Sequence, residues 1–162
     1  MERLYSFNFK AMGAPCQLRL FADSESKANA CSHALIEEAR RFEEKYSRYL
    51  PGSLVSCINS SGGARIQLDL EAAGIIEYAN QLYIQSDGLF DITSGLLRQA
   101  WDFSSAQPPQ NKAILQLLPQ IGWQKVYWKN PVLSVPSGMQ IDLGGVVKEY
   151  AADAMAQLAQ NL

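Results

Sequence analysis

Residues 139–153, MQIDLGGVVKEYAAD, change hydrophobic period within two residues, and this constrains the fold more than any other stretch. Met139, Ile141 and Leu143 alternate with Gln140 and Asp142, the period of a half-buried strand. Gly144-Gly145 permits a tight turn and a close approach of another group to the main chain. Val147, Tyr150, Ala151, Ala154 and Leu158 then recur at helical spacing, which predicts a helix to about residue 160. The free N–H groups of its first turn form an anion site, with Lys148 beside them and Asp142 aimed at the same place. Joints of this kind also occur in α/β proteins that bind nothing there. The Walker pattern and the G-x-G-x-x-G fingerprint are both absent.

The rest of the chain fits one domain, or half of a larger one: 162 residues, 48% hydrophobic and 19% charged. A net charge of −2 gives no basic field and argues against nucleic acid as a partner. Cys16, Cys31 and Cys57 are widely spaced with no C-x-x-C pair, so buried free thiols are expected rather than zinc or disulfides. There is no signal-peptide core and no apolar run long enough for a membrane span. As written the chain reads as cytoplasmic, and a periplasmic lipoprotein trimmed of its leader would read the same.

Alternation at Tyr5, Phe7 and Phe9 and again at Cys16, Leu18 and Leu20 predicts two strands either side of a break at residues 10–15. Asp23 or Ser24 caps a long helix to about Tyr46, with Cys31, Leu35, Ala39, Phe42 and Tyr46 inward and a solvated, mixed-charge outer face. A short helix over residues 55–59 and a strand over 65–68 follow. Asp69 caps a second long helix with Leu70, Ala73, Ile76, Ala79, Leu82 and Tyr83 inward, ended by Asp87-Gly88. Residues 90–93 read as extended, with Ser94 capping a short helix to Trp101; residues 104–110 read as a polar loop and Asn111 as the cap of a helix over 112–118. Residues 125–128, 132–135 and 139–143 read as consecutive strands of an antiparallel meander. The fold class is α+β, with helices packed on a largely antiparallel sheet.

No nucleophilic triad can be assembled, and the single histidine, His33, sits on a charged helix. Polar residues at element ends are better candidates: Tyr49, Asp91, Thr93, Asp142 and Lys148. From the residues alone, Asp91 is a ligand contact or only a cap. Trp101, Trp123 and Trp128 stack on a flat ligand or sit in the core, the commoner outcome.

Four segments in order, AMGAPCQLRL, EEKYSRYLPGSLVSCIN, SDGLFDITSGLL and IDLGGVVKEYAAD, together resemble the ApbE-type FAD:protein FMN transferases. The resemblance covers nearly the whole chain but only about the N-terminal half of a usual member. It implies an ApbE-like α+β fold and a Mg²⁺-dependent enzyme that cleaves FAD. FMN passes to a Thr or Ser hydroxyl of a partner flavoprotein, such as a subunit of a sodium-pumping or related electron-transport complex, and AMP is released. Carried onto this chain, the family's FAD contacts fall on Met12, Tyr49, Leu89, Phe90, Asp91, Asp142 and Lys148, and a metal ligand falls on Gly145, through its backbone carbonyl. Ala14 and Glu149 depart from the family pattern, the latter replacing a Gly after Lys148.

The family's second half, with its remaining metal ligands, has no counterpart in these residues. The expectation is therefore that residues 1–162 are the N-terminal portion of the transferase domain, inactive alone and completed by further sequence, a second polypeptide or a homo-oligomer. Two alternatives stand beside it: a non-catalytic flavin-binding module, and a structural half-domain that associates through an exposed apolar edge.

Overall fold

The computed structural model describes residues 2–101 and 107–162. It opens with a long hairpin, β1 (Arg3–Ala11) and β2 (Ala14–Ala22), paired antiparallel from Arg3↔Ala22 to Ala11↔Ala14. The two-residue connection is Met12-Gly13, with φ of 52° and 71°. Positive φ at both positions matches the twist of the flanking strands; glycine adopts it freely, whereas Met12 holds it at a cost of about 1–2 kcal/mol. One face of the hairpin lies on helix α1 (Glu25–Tyr46), whose N-cap Ser24 accepts from the Lys27 N–H. Leu35, Ala39, Phe42 and Tyr46 are buried as expected, but Ala28 and Ser32 are buried too, while Cys31 is only half-buried.

Past α1 the chain turns through Gly52 into the short helix α2 (Leu54–Asn59), capped by Ser53, and then into β3 (Ile66–Gln67). Helix α3 (Leu70–Gln85) starts at Asp69, whose carboxylate accepts from the Ala72 N–H, and ends at Asp87-Gly88, both at positive φ. Ala73, Ile76 and Ala79 face the core, Leu82 and Tyr83 lie at its edge, and Leu70 departs from expectation at 92% exposed. Leu70 opens the first turn, so its side chain lies beyond the surface that the rest of the stripe covers.

A 3₁₀ helix occupies Ile92–Gln99, and its cap is Asp91, not Ser94. Asp91 accepts from the Thr93 N–H, which one residue of side-chain reach allows and which shifts the start back from Ser94. Residues 104–106 of the expected polar loop lie outside the described residues. Helix α4 (Asn111–Leu117) follows Gln110, with no side-chain cap bond, so Asn111 opens the helix rather than capping it. A 3₁₀ turn at Trp123–Lys125 shortens the next strand, so that β4 is Tyr127–Lys129, and β5 is Val132–Ser134.

The three-stranded sheet has the order β3-β5-β4, all antiparallel. The expected third strand of the meander, residues 139–143, is not in it. The alternation was correct: Met139, Ile141 and Leu143 are buried and Gln140 and Asp142 half-exposed. The ladder is absent because side chains and a turn take the strand's hydrogen bonds. The Asn59 side-chain amide donates to the Ile141 carbonyl and accepts from the Ile141 N–H, at 3.0 and 2.7 Å, and the Asp142 N–H donates to the Ile92 carbonyl at 2.8 Å. These bonds satisfy buried backbone groups as a neighbouring strand would. Helix α5 (Val147–Gln160) then packs on α1.

The core gathers Phe42, Ile75, Ile76, Leu133, Ile141 and Leu143 between α1, α3 and the three-stranded sheet. Trp123 belongs to it, with its indole N–H on Asn80, and Trp128 packs at its edge with its N–H on Glu77; Trp101 is 42% exposed. Among the described residues no helix is long and apolar enough to cross a membrane. The cysteines are free, Cys16 and Cys31 half-buried and Cys57 exposed rather than buried.

Candidate functional site

The ends of these elements converge on one cleft. The tip of the β1–β2 hairpin, the end of α1 with residues 47–50, the stretch into the 3₁₀ helix, and the Gly144-Gly145 joint enclose about 770 Å³. That volume lies within the usual range for small-molecule sites, about 300–1,000 Å³. Met12, Tyr49, Leu89, Phe90, Asp91, Asp142, Gly145 and Lys148 all line it. Residues that are far apart in sequence thus share one wall system because each stands at the end of an element and the ends meet.

The apolar side of the cleft is open to solvent: Leu89 is 92% exposed and Tyr49 64%. The Arg48 and Arg98 guanidiniums both lie over the Tyr49 ring, at 5.8 and 5.4 Å from its centroid. Phe90 rests against the glycine joint, where a Cβ on Gly145 would come within 3.2 Å of its ring. The bare backbone at Gly145 is therefore what admits the aromatic side chain.

The two aspartates have defined structural partners. Asp91 Oδ1 accepts from the Thr93 N–H and hydroxyl at 2.7 and 2.6 Å, and Oδ2 accepts from the Trp123 N–H at 2.9 Å. The Thr93 hydroxyl in turn accepts from the Gly122 N–H, so Asp91 ties the 3₁₀ helix to the segment before β4. The capping reading of Asp91 thus describes its bonds, at a position that also lines the cleft. Asp142 Oδ1 accepts from the Gly144 N–H at 2.9 Å, closing the glycine turn, and Oδ2 takes Arg48 Nη1 at 3.1 Å. The N-terminus of α5 carries no side-chain cap, and Lys148 beside it is exposed. An uncapped helix start with an adjacent ammonium is an anion-receptive surface.

Arg48 is the cleft residue that sequence reasoning missed. Its side chain is only 12% exposed. Besides Asp142, Nη1 donates to the Gly95 carbonyl at 2.9 Å and Nη2 to the Gln140 side chain at 2.8 Å. The only local signal was its place beside Tyr49, since no periodicity marks a contact to residues so distant. His33 is exposed on α1, away from the cleft.

Among the described residues, the side-chain oxygen donors placed for a Mg²⁺ ion are few. Such an ion takes near-octahedral oxygen ligation. The cleft carboxylates are Glu43, Asp91 and Asp142, and each already accepts from protein N–H groups. No group of three or more acidic, His or Cys side chains able to hold a metal occurs among the described residues. One backbone carbonyl, that of Gly145, does not replace them.

The fold and the cleft together define a class of protein: an α+β domain whose element ends surround a cleft of small-molecule size, lined by aromatic and apolar side chains and by an uncapped helix start. The chain belongs to the ApbE family, which it matches over residues 12–162. The FAD:protein FMN transferase of Chlamydia pneumoniae is 26% identical over 99% of this chain and 51% of its own length. The ApbE protein of Thermotoga maritima superposes with a TM-score of 0.84 at 27% identity, over 98% of this chain and 53% of that one. The Pseudomonas stutzeri flavinyl transferase ApbE, at 18% identity and a TM-score of 0.83 over 99% of this chain and 56% of that one, shares the fold. The chain spans about half the length of the curated relatives it matches.

Proposed function

We propose that residues 1–162 form the N-terminal, FAD-binding portion of an FAD:protein FMN transferase. One observation carries this reading: the residues that the family resemblance assigns to FAD, scattered from position 12 to position 148, line a single cleft. Met12, Tyr49, Leu89 and Phe90 offer apolar and aromatic surface to the flavin. Lys148 and the uncapped start of α5 receive the diphosphate. The reaction of the whole protein is the Mg²⁺-dependent transfer of FMN from FAD to a Thr or Ser hydroxyl of an acceptor flavoprotein, with release of AMP. Transfers of this kind depend on positioning and on neutralising charge at phosphorus. This chain supplies the positioning; the oxygen donors for Mg²⁺ come from outside the described residues, from a complementing half or a second copy.

One alternative reading is a flavin-binding module without transferase activity. Calorimetric titration with FAD, with and without Mg²⁺, separates the two. With the complementing half supplied, affinity that rises with Mg²⁺ supports the transferase portion, and affinity still indifferent to the ion supports the module. Asp142→Ala weakens FAD binding about tenfold or more under either reading, since it loosens the glycine turn. A folded chain that binds no FAD in either condition refutes both.

A further inference from the structure

We infer that Arg48 is the positioning residue of the cleft, fixing the Asp142 carboxylate and holding three of its walls in register. The inference rests on the FAD-binding reading for its functional consequence, but not for its geometry. Arg48 follows α1 directly. Its fork reaches the 3₁₀ helix through the Gly95 carbonyl, and the stretch before α5 through Gln140 and Asp142. Those two segments and the loop of Arg48 itself carry Asp91, Asp142 and Tyr49, three of the residues assigned to FAD.

The fit is close. A Cβ on Gly95 would fall 2.5 Å from Asp142 Cβ and 2.6 Å from Arg48 Nη1, so only glycine lets the carbonyl, the guanidinium and the carboxylate meet. A planar guanidinium with donors in a fixed fork can hold three acceptors from two segments at once, and a lysine ammonium on its flexible stem cannot reproduce that geometry. With one Asp142 oxygen on Arg48, the other is aimed at the Gly144 N–H, which shapes the turn entering α5. Arg48 therefore acts through Asp142 and the backbone rather than on a ligand directly.

The test has two readouts on the intact chain. The first is amide hydrogen exchange without ligand. In Arg48→Ala, the Gly144 and Asp142 amides are expected to exchange about tenfold faster or more, while the amides of α3 keep their protection. Unchanged exchange at Gly144 and Asp142 overturns the inference, whether or not the chain binds FAD. The second is a double-mutant cycle of Arg48→Ala and Asp142→Ala, read as FAD affinity by calorimetry. If Arg48 acts through Asp142, each single variant loses about tenfold or more and the double variant loses little further. Additive losses, or full rescue by Arg48→Lys, would make Arg48 an independent counter-charge and overturn the positioning role. Absence of FAD binding by the unaltered chain refutes the binding reading, and the exchange readout then decides the inference alone.

Discussion

Two carboxylates meet arginines at the C-terminal end of α1, with opposite outcomes. Glu71, in the first turn of α3, is closed on itself. Its two oxygens accept from Arg41 Nη1 and Nη2 at 3.1 and 2.6 Å, from Lys45 at 2.9 Å and from the Tyr46 hydroxyl at 2.7 Å. The Arg41 hydrogen bonds lead the effects that hold its carboxyl at about 2, against an ordinary 4.5. Burial, followed by the Glu71 hydrogen bond, pushes the Tyr46 phenol up. Asp142 instead stands in a cleft wall, with one oxygen on Arg48 and one on a glycine turn. The first arrangement locks two helices, and Glu71 is not among the residues that line the cleft. The second uses the same chemistry to shape a space that something else can enter.

Three substitutions break or sharpen this contrast, taken from the largest effect to the smallest. Phe42 lies between the two regions: fully buried, with the Arg41 guanidinium 4.3 Å from its ring centroid, and itself part of the cleft lining. Phe42→Ala is expected to cost about 3–5 kcal/mol in urea unfolding and to weaken FAD binding as well. A loss of stability below about 1 kcal/mol would mean that the two regions do not share this support.

Gly95→Ala acts on the open region alone. The new methyl group meets Asp142 Cβ and Arg48 rather than a flexible chain end, so overpacking of about 1–3 kcal/mol is expected, accompanied by lost FAD affinity. Retention of both stability and affinity would show that Arg48 and Asp142 have room to move apart.

Glu71→Gln acts on the closed region alone. It should cost about 1–3 kcal/mol near neutral pH and leave FAD affinity within about twofold. Because the folded-state carboxyl lies below its unfolded value, the stabilisation is fully present above pH 4.5 and is lost as pH falls from 4.5 through about 2. The gap between the unaltered chain and Glu71→Gln therefore closes across that window in acid unfolding curves. A gap of constant size would show that the ion network contributes nothing that titrates.

Periodicity made the helices legible. The spacing of apolar residues placed α1, α3 and α5 nearly to the residue; Asp69 was readable as a cap, and the α1 cap was narrowed to Asp23 or Ser24, because capping is a local bond. The same locality explains the errors. Residues 139–143 alternate as a strand does, yet alternation reports only which side chains are buried, and Asn59 rather than another strand meets their backbone. The outer face of α1 read as solvated from its mixed charges, although Arg41 and Lys45 turn to Glu71 on another helix.

The sequence by itself determined the family, the long helices with the Asp69 cap, and a set of residues assigned to FAD by resemblance, because motifs and hydrophobic period are carried by neighbours along the chain. Only the tertiary structure decided that those residues share one cleft, that Arg48 links Asp142 to the Gly95 carbonyl, and that Glu71 faces Arg41 rather than water. Each of these depends on contacts between residues about 30 to more than 90 positions apart. Such contacts are fixed by how the helix ends and the two small sheets pack, and no local period records that.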